Sequence, residues 1–137
     1  MSKVGEVVKD ALLLLRVVDA DEAPEARDSE DAIRTLNLMM TSLEAEGVSV
    51  GWTNVSNPDD DMPSPPENEQ GITYLLATRL RPKYGVTIDP DVLQGAAEGL
   101  AAIRAQVASA DFSRVSYPDL PAGQGQPWGA WYEGFYR

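Results

Sequence analysis

Apolar residues recur at helical spacing through the first eighteen positions. Val4, Val7, Val8, Ala11, Leu12, Leu15 and Val18 fall on one face, while Lys3, Glu6, Lys9 and Asp10 lie off it. That 3.6-residue rhythm predicts an amphipathic helix over 3–18. Leu13 and Leu14 broaden the stripe, so this helix is expected to meet neighbours on more than one side. Residues 19–27 are acidic and contain Pro24, and read as a loop. A second helix is expected over 30–46, with Ile33, Leu36, Met40 and Leu43 inward. Asp28 or Ser29 is its expected cap, since a short side-chain oxygen can accept an orphan amide of the first turn. Glu30 and Asp31 would then sit at the positive end of the helix dipole. Gly47 is the natural stop.

Beyond Gly47, Val48, Val50 and Trp52 alternate with Ser49, Gly51 and Thr53, the pattern of a short strand or extended segment. Residues 57–66 hold four prolines (Pro58, Pro63, Pro65 and Pro66) and the run Asp59-Asp60-Asp61, which argues against regular structure. A third helix is expected over 67–81, with Ile72, Leu75, Leu76 and Leu80 on one face. Pro82 has no N–H to donate, so the helix should end or kink there. The fourth helix has the plainest start, with Asp89 as cap and Pro90 in the first helical position. Leu93, Ala97, Leu100, Ile103 or Arg104, and Val107 are its expected core face. Gly95 and Gly99 each cost a helix about 1 kcal/mol relative to alanine, which is best explained by another backbone lying close against them. The expected fold is therefore all-α. It is a small bundle of about four helices, with a short extended segment after the second helix and a long extended C-terminal arm. The expected division is a helical domain over 1–110 and the arm over 111–137.

Composition removes several kinds of chemistry. A chain of 137 residues has neither cysteine nor histidine. Thiolate metal sites, disulfides, thiol nucleophiles and a Ser-His-Asp arrangement are excluded. The run Ala11 to Leu15, followed by Arg16, falls well short of the roughly 20 apolar residues that span a bilayer. With lysine and aspartate before it, the run does not read as a secretory signal either. Asp59-Asp60-Asp61 fits no familiar cation loop and reads as a solvated turn. Glu44 with Glu46, or Asp89 with Asp91, are carboxylate pairs of the sort that hydrolyse glycosides. Such pairs are unavoidable among 22 acids. Gly123-Gln124-Gly125 lacks the strand–turn–helix setting of a phosphate loop. No catalytic site, metal site or cofactor is expected.

Two asymmetries carry more. Residues 1–70 hold 16 acids and 5 bases, whereas residues 71–137 hold 6 of each, so the whole net charge of −11 lies in the first half. A field of that sign repels nucleic acid. Arg79, Arg81 and Lys83 form the one basic cluster. They suit either a solvated helix end or a contact with an acidic neighbouring copy. Aromatic residues are divided the other way, seven of the ten lying in the last 27 residues. That segment also holds Pro118, Pro121 and Pro127 and four glycines, which excludes a long helix or strand. Disordered tails are poor in aromatics, so the segment is expected to be extended and buried against another surface. Seven aromatics at roughly 150–250 Å² each would bury on the order of 1,000 Å². The alternative is a tail folded back over its own helices. Against that stands the run Trp128 to Tyr136, whose adjacent aromatics on an extended chain point to opposite sides.

Three stretches, taken in order, resemble the head-to-tail adaptors of tailed bacteriophages, and most closely the tail accessory factor (packaged-DNA stabilisation protein) family of short-tailed phages. They are Asp31-Ala32 with Leu36-Asn37-Leu38-Met39-Met40 leading to Glu46-Gly47-Val48; Tyr74-Leu75-Leu76-Ala77-Thr78-Arg79-Leu80-Arg81-Pro82-Lys83-Tyr84-Gly85; and Tyr117-Pro118-Asp119-Leu120-Pro121-Ala122-Gly123-Gln124-Gly125. The resemblance implies a non-enzymatic virion protein, made in the host cytoplasm and placed at the head-to-tail interface. It would form a ring of 12 copies under the portal, with its helices as the ring wall and its C-terminal arm gripping the portal. The next tail component (nozzle, tail terminator or hub) would meet the lower face. DNA would pass through the lumen without specific binding, and the ring would help retain the genome. On this resemblance Tyr117, Pro118, Trp128, Trp131, Tyr132, Phe135 and Tyr136 are the portal contacts. Arg79, Arg81 and Lys83 are candidates for contacts between subunits. A second reading is an acidic protein-binding module or DNA mimic, and a third is a hydrolase using two carboxylates.

Overall fold

The structure, a computed structural model, describes residues 1–114, the last four as helix backbone only. Four helices account for its regular structure: α1 (Val4–Leu14), α2 (Ala26–Ala45), α3 (Pro66–Tyr84) and α4 (Pro90–Arg114). α3 is the central element. It packs against each of the other three, and most extensively against α4. The described residues form no strand, and the expected all-α class holds for them.

The predicted inward face of α1 is buried at all seven positions, Val4 through Val18. The helix itself closes at Leu14. The amide of Arg16 donates to the Leu13 carbonyl and that of Val17 to the Leu12 carbonyl (2.9 and 3.1 Å). This Schellman closure places Arg16 at φ +57°, where glycine is the usual occupant. α2 closes the same way. Gly47 donates to Glu44 and Val48 to Leu43 (3.0 and 2.9 Å), and Val48 and Leu43 are both buried.

α2 begins four residues before the expected start. Asp28 and Ser29 lie inside its first turn rather than capping it, and Glu25 is the N-cap with no side-chain cap bond. Pro24 marks the break instead, and Asp28 still sits where the dipole favours a negative charge. The segment after α2 is extended but pairs with no strand. Asn37 on α2 takes the place of one. Its Nδ2 donates to the Val55 carbonyl (2.8 Å), and its Oδ1 accepts from the Val55 amide (3.1 Å) and from Trp52 Nε1 (3.3 Å). Val48, Trp52 and Val55 are thereby held in the core.

α3 does not stop at Pro82 but continues through it to Tyr84. The missing donor falls in the last turn, where a single lost bond ends little. Beyond the proline, Lys83 Nζ donates to Thr35 Oγ1 (3.0 Å) and the Tyr84 hydroxyl to Asp28 (3.1 Å), which tie the last turn to α2. Gly85 then ends the helix at φ +63°.

α4 shows the largest departure from expectation. Val92, Ala96 and Ile103 are buried, with Leu100 and Val107 packed at the margin. Leu93 is 45% exposed, and Ala97 faces solvent. The cause is a backbone contact. A Cβ placed on Gly99 would lie 2.5 Å from the Cα of Gly71 on α3, and one on Gly71 would lie 3.0 Å from the Cα of Gly99. This contact turns α4 so that the Gly95–Gly99 side faces α3, and residues 93 and 97 rotate outward. The close backbone expected from the glycine pair is present, and Gly71 is what meets it.

Two substitutions test this arrangement. Gly99→Ala should lower stability by about 1–3 kcal/mol, because the helices must separate, although alanine is the better helix former. Gly95→Ala meets only the edge of the Tyr74 ring and should stay within about 1 kcal/mol. Asn37→Ala should cost about 2–3 kcal/mol by leaving the Val55 backbone and the Trp52 indole unpartnered. Urea unfolding followed by circular dichroism measures all three.

Candidate interaction surface

Five of the acids proposed from sequence as possible chemistry have structural partners. Asp61 pairs with Lys3 (2.7 Å). The Asp60 carboxylate accepts the amides of Ser56 and Asn57 (both 2.9 Å), and those two bonds hold it below the usual carboxylate range. Glu46 meets Arg104, Asp89 meets Arg16, and Glu44 accepts from the Ser49 hydroxyl. Among the described residues no group of three or more acids is placed to hold a metal ion. None of their helices is long and apolar enough to cross a membrane. The acidic run is thus a turn that secures the start of α1.

The basic cluster behaves differently. Arg79 and Lys83 are four apart on α3, so they lie on one ridge. Arg34, Leu38 and Ser42 repeat the same spacing on α2. The two ridges run side by side and enclose an open groove of about 460 Å³ lined by Arg34, Leu38, Arg79 and Lys83, with Thr35, Met39 and Ser42. None of the lining residues is acidic. Leu38, among them, is 63% exposed. Among the described residues neither Arg34, Arg79 nor Lys83 forms an ion pair, although the chain has twice as many acids as bases. Arg81 is turned elsewhere. Its Nε donates to the Val86 carbonyl (3.1 Å) and helps close the end of α3.

Of the three basic residues singled out by sequence, the structure brings two together, and it adds Arg34 and Leu38. Their i, i+4 spacing was visible in the sequence. Which face of α2 remains open was not. The proposed portal contacts Tyr117, Pro118, Trp128, Trp131, Tyr132, Phe135 and Tyr136 lie outside the described residues.

Tyr84 stands at the end of the α2–α3 seam. Burial, followed by its hydrogen bond to the Asp28 carboxylate, pushes its pKa up to about 12. A raised value means that folding favours the neutral phenol. Its contribution to stability is therefore complete below the ordinary value of about 10 and is lost as pH climbs through about 12. An absorbance titration of the phenolate band should show one late phase near pH 12. Tyr84→Phe should remove that phase, and Asp28→Asn should move it toward 10. Simultaneous titration of all five tyrosines near pH 10 would contradict the assignment.

Comparison with known proteins places this geometry in context. No curated protein matches the chain. A family model, that of the P22 tail accessory factor, matches residues 2–136, which is nearly the whole length and includes both the groove and the aromatic tail. The chain belongs to the P22 tail accessory factor family, and its role is accordingly that of a structural component of a phage tail.

Proposed function

We propose that the protein is a head-to-tail adaptor that assembles as a ring, of 12 copies, beneath the portal. The ring joins the DNA-filled head to the tail, extends the DNA channel and helps retain the genome. Residues 111–137, the first four of which still belong to α4, act as the portal-binding arm, with Tyr117, Pro118, Trp128, Trp131, Tyr132, Phe135 and Tyr136 as its contacts. Subunits made in the host cytoplasm reach the virion through that contact. The opposite face receives the next tail component. DNA passes through the lumen without specific binding.

The observation that carries this reading is the family match running to residue 136, through a tail rich in aromatics. A second feature supports it. Among the described residues, the hydrophobic core runs from Val4 to Ile103 and draws on all four helices. An acidic channel wall would suit the same role, because repelled phosphates make few attractive contacts. The acids surplus to the three ion pairs found among the described residues provide the charge for it.

Deleting residues 115–137 leaves α4 whole and provides the test. The truncated chain should keep its helical circular dichroism and cooperative unfolding, while binding to purified portal falls about 100-fold or more, as expected when an aromatic interface is removed. Trp128→Ala with Trp131→Ala in the full chain should weaken binding in the same direction. A truncated chain that binds portal like the full one would remove the arm from the mechanism.

A further inference from the structure

The groove between α2 and α3 is the site from which a specific subunit contact can be derived. It presents Arg34, Arg79 and Lys83 around an exposed Leu38, with no acid among its lining residues. On the same protomer the connection from α1 to α2 presents the opposite surface. Asp19, Asp21, Glu22 and Glu25 are exposed there, together with Ala20 and Ala23, and among the described residues none of these acids forms an ion pair. Among the described residues, two exposed patches of opposite sign thus stand without ion pairs.

We propose that the 19–25 segment of one copy occupies the Arg34–Leu38–Arg79–Lys83 groove of the next. The inference rests on the ring reading above and identifies the lateral contact within it. The symmetry follows from the charges. A two-fold contact through the groove would set cations against cations, and one through the 19–25 segment would set acids against acids. Only a heterologous contact joins unlike patches, and repeating such a contact generates a closed ring or an open filament. Leu38 favours a polypeptide over a phosphate backbone as the occupant. A site for phosphates would present donors throughout, whereas the exposed Leu38 offers an apolar anchor that Ala20 or Ala23 can cover. The charges then orient the contact and exclude the wrong pairing.

The test uses the full-length chain and two sets of charge reversals. One chain carries Arg34→Glu, Arg79→Glu and Lys83→Glu. The other carries Asp19→Lys, Asp21→Lys and Glu22→Lys. All six positions are exposed, and unchanged circular dichroism confirms that each chain folds. Ring formation is read by native mass spectrometry and negative-stain imaging, for the protein alone at high concentration and for the protein bound to portal. Each variant alone should lose lateral association about tenfold or more, since every contact now opposes like charges. An equimolar mixture should recover it, because each reversed groove meets a reversed 19–25 segment in an alternating ring. A single chain carrying all six changes should recover it too.

Rings that survive either set of reversals, or a mixture that fails to recover, would overturn this contact while leaving the ring reading intact. Wild-type protein that forms no oligomer, alone or on portal, would overturn both. Anisotropy of a labelled DNA duplex supplies the remaining arm. Binding that is abolished by the Arg34, Arg79 and Lys83 changes, with rings unaffected, would assign the groove to phosphates and overturn the proposal.

Discussion

The structure depends on one place where two helix backbones touch. Gly71 and Gly99 let α3 and α4 approach until neither position has space for a methyl group. Everything on α4 takes its phase from that contact. With the glycine side turned inward, Val92, Ala96 and Ile103 enter the core, and Leu93 is left in solvent. The most extensive helix pair in the bundle is thus assembled around an absence of side chains. Glycine lowers helix propensity by about 1 kcal/mol at each position. The close packing around the contact offsets that cost, since interiors at crystal-like density penalise any gap.

How much of this could be read from the sequence depends on which force set each feature. α1 was legible residue by residue, because its inward face is made of aliphatic side chains whose burial is worth about 1.5–3 kcal/mol each for valine and leucine. The phase of α4 was not, because alanine and glycine dominate its inward side and a hydrophobicity pattern gives them little weight. Gly95 and Gly99 announced a close neighbour, but nothing along the chain nominated Gly71, which lies in a different helix. The start of α2 was placed too late because a favourable cap was allowed to outweigh the proline before it. Pro82 predicts an end or a kink, and tertiary contacts at Lys83 and Tyr84 carry the helix past it. Asn37 was quoted within a motif without a role. Its amide both donates to and accepts from Val55, which explains how a strand-like segment persists in a bundle that offers it no partner strand.

Charge is organised as deliberately as packing. Asp60 and Asp61 are occupied in the turn before α3, and Glu46 and Asp89 in ion pairs, whereas among the described residues the cations of the α2–α3 groove are left without acids. Arg81 shows that proximity in sequence is not decisive, because its side chain closes the end of α3 and leaves the groove to Arg79 and Lys83.

The start of α1 has a consequence for the order in which the molecule is made. Its first free amides do not find caps nearby: Val4 donates to the Asp60 carbonyl and Gly5 to that of Pro58. Those acceptors follow more than fifty residues later. A nascent chain therefore carries α1 without these two bonds until the proline-rich loop has been synthesised, and closing a loop of that length costs entropy that later packing must recover. α1 is thus fastened by a segment that is synthesised only after α2.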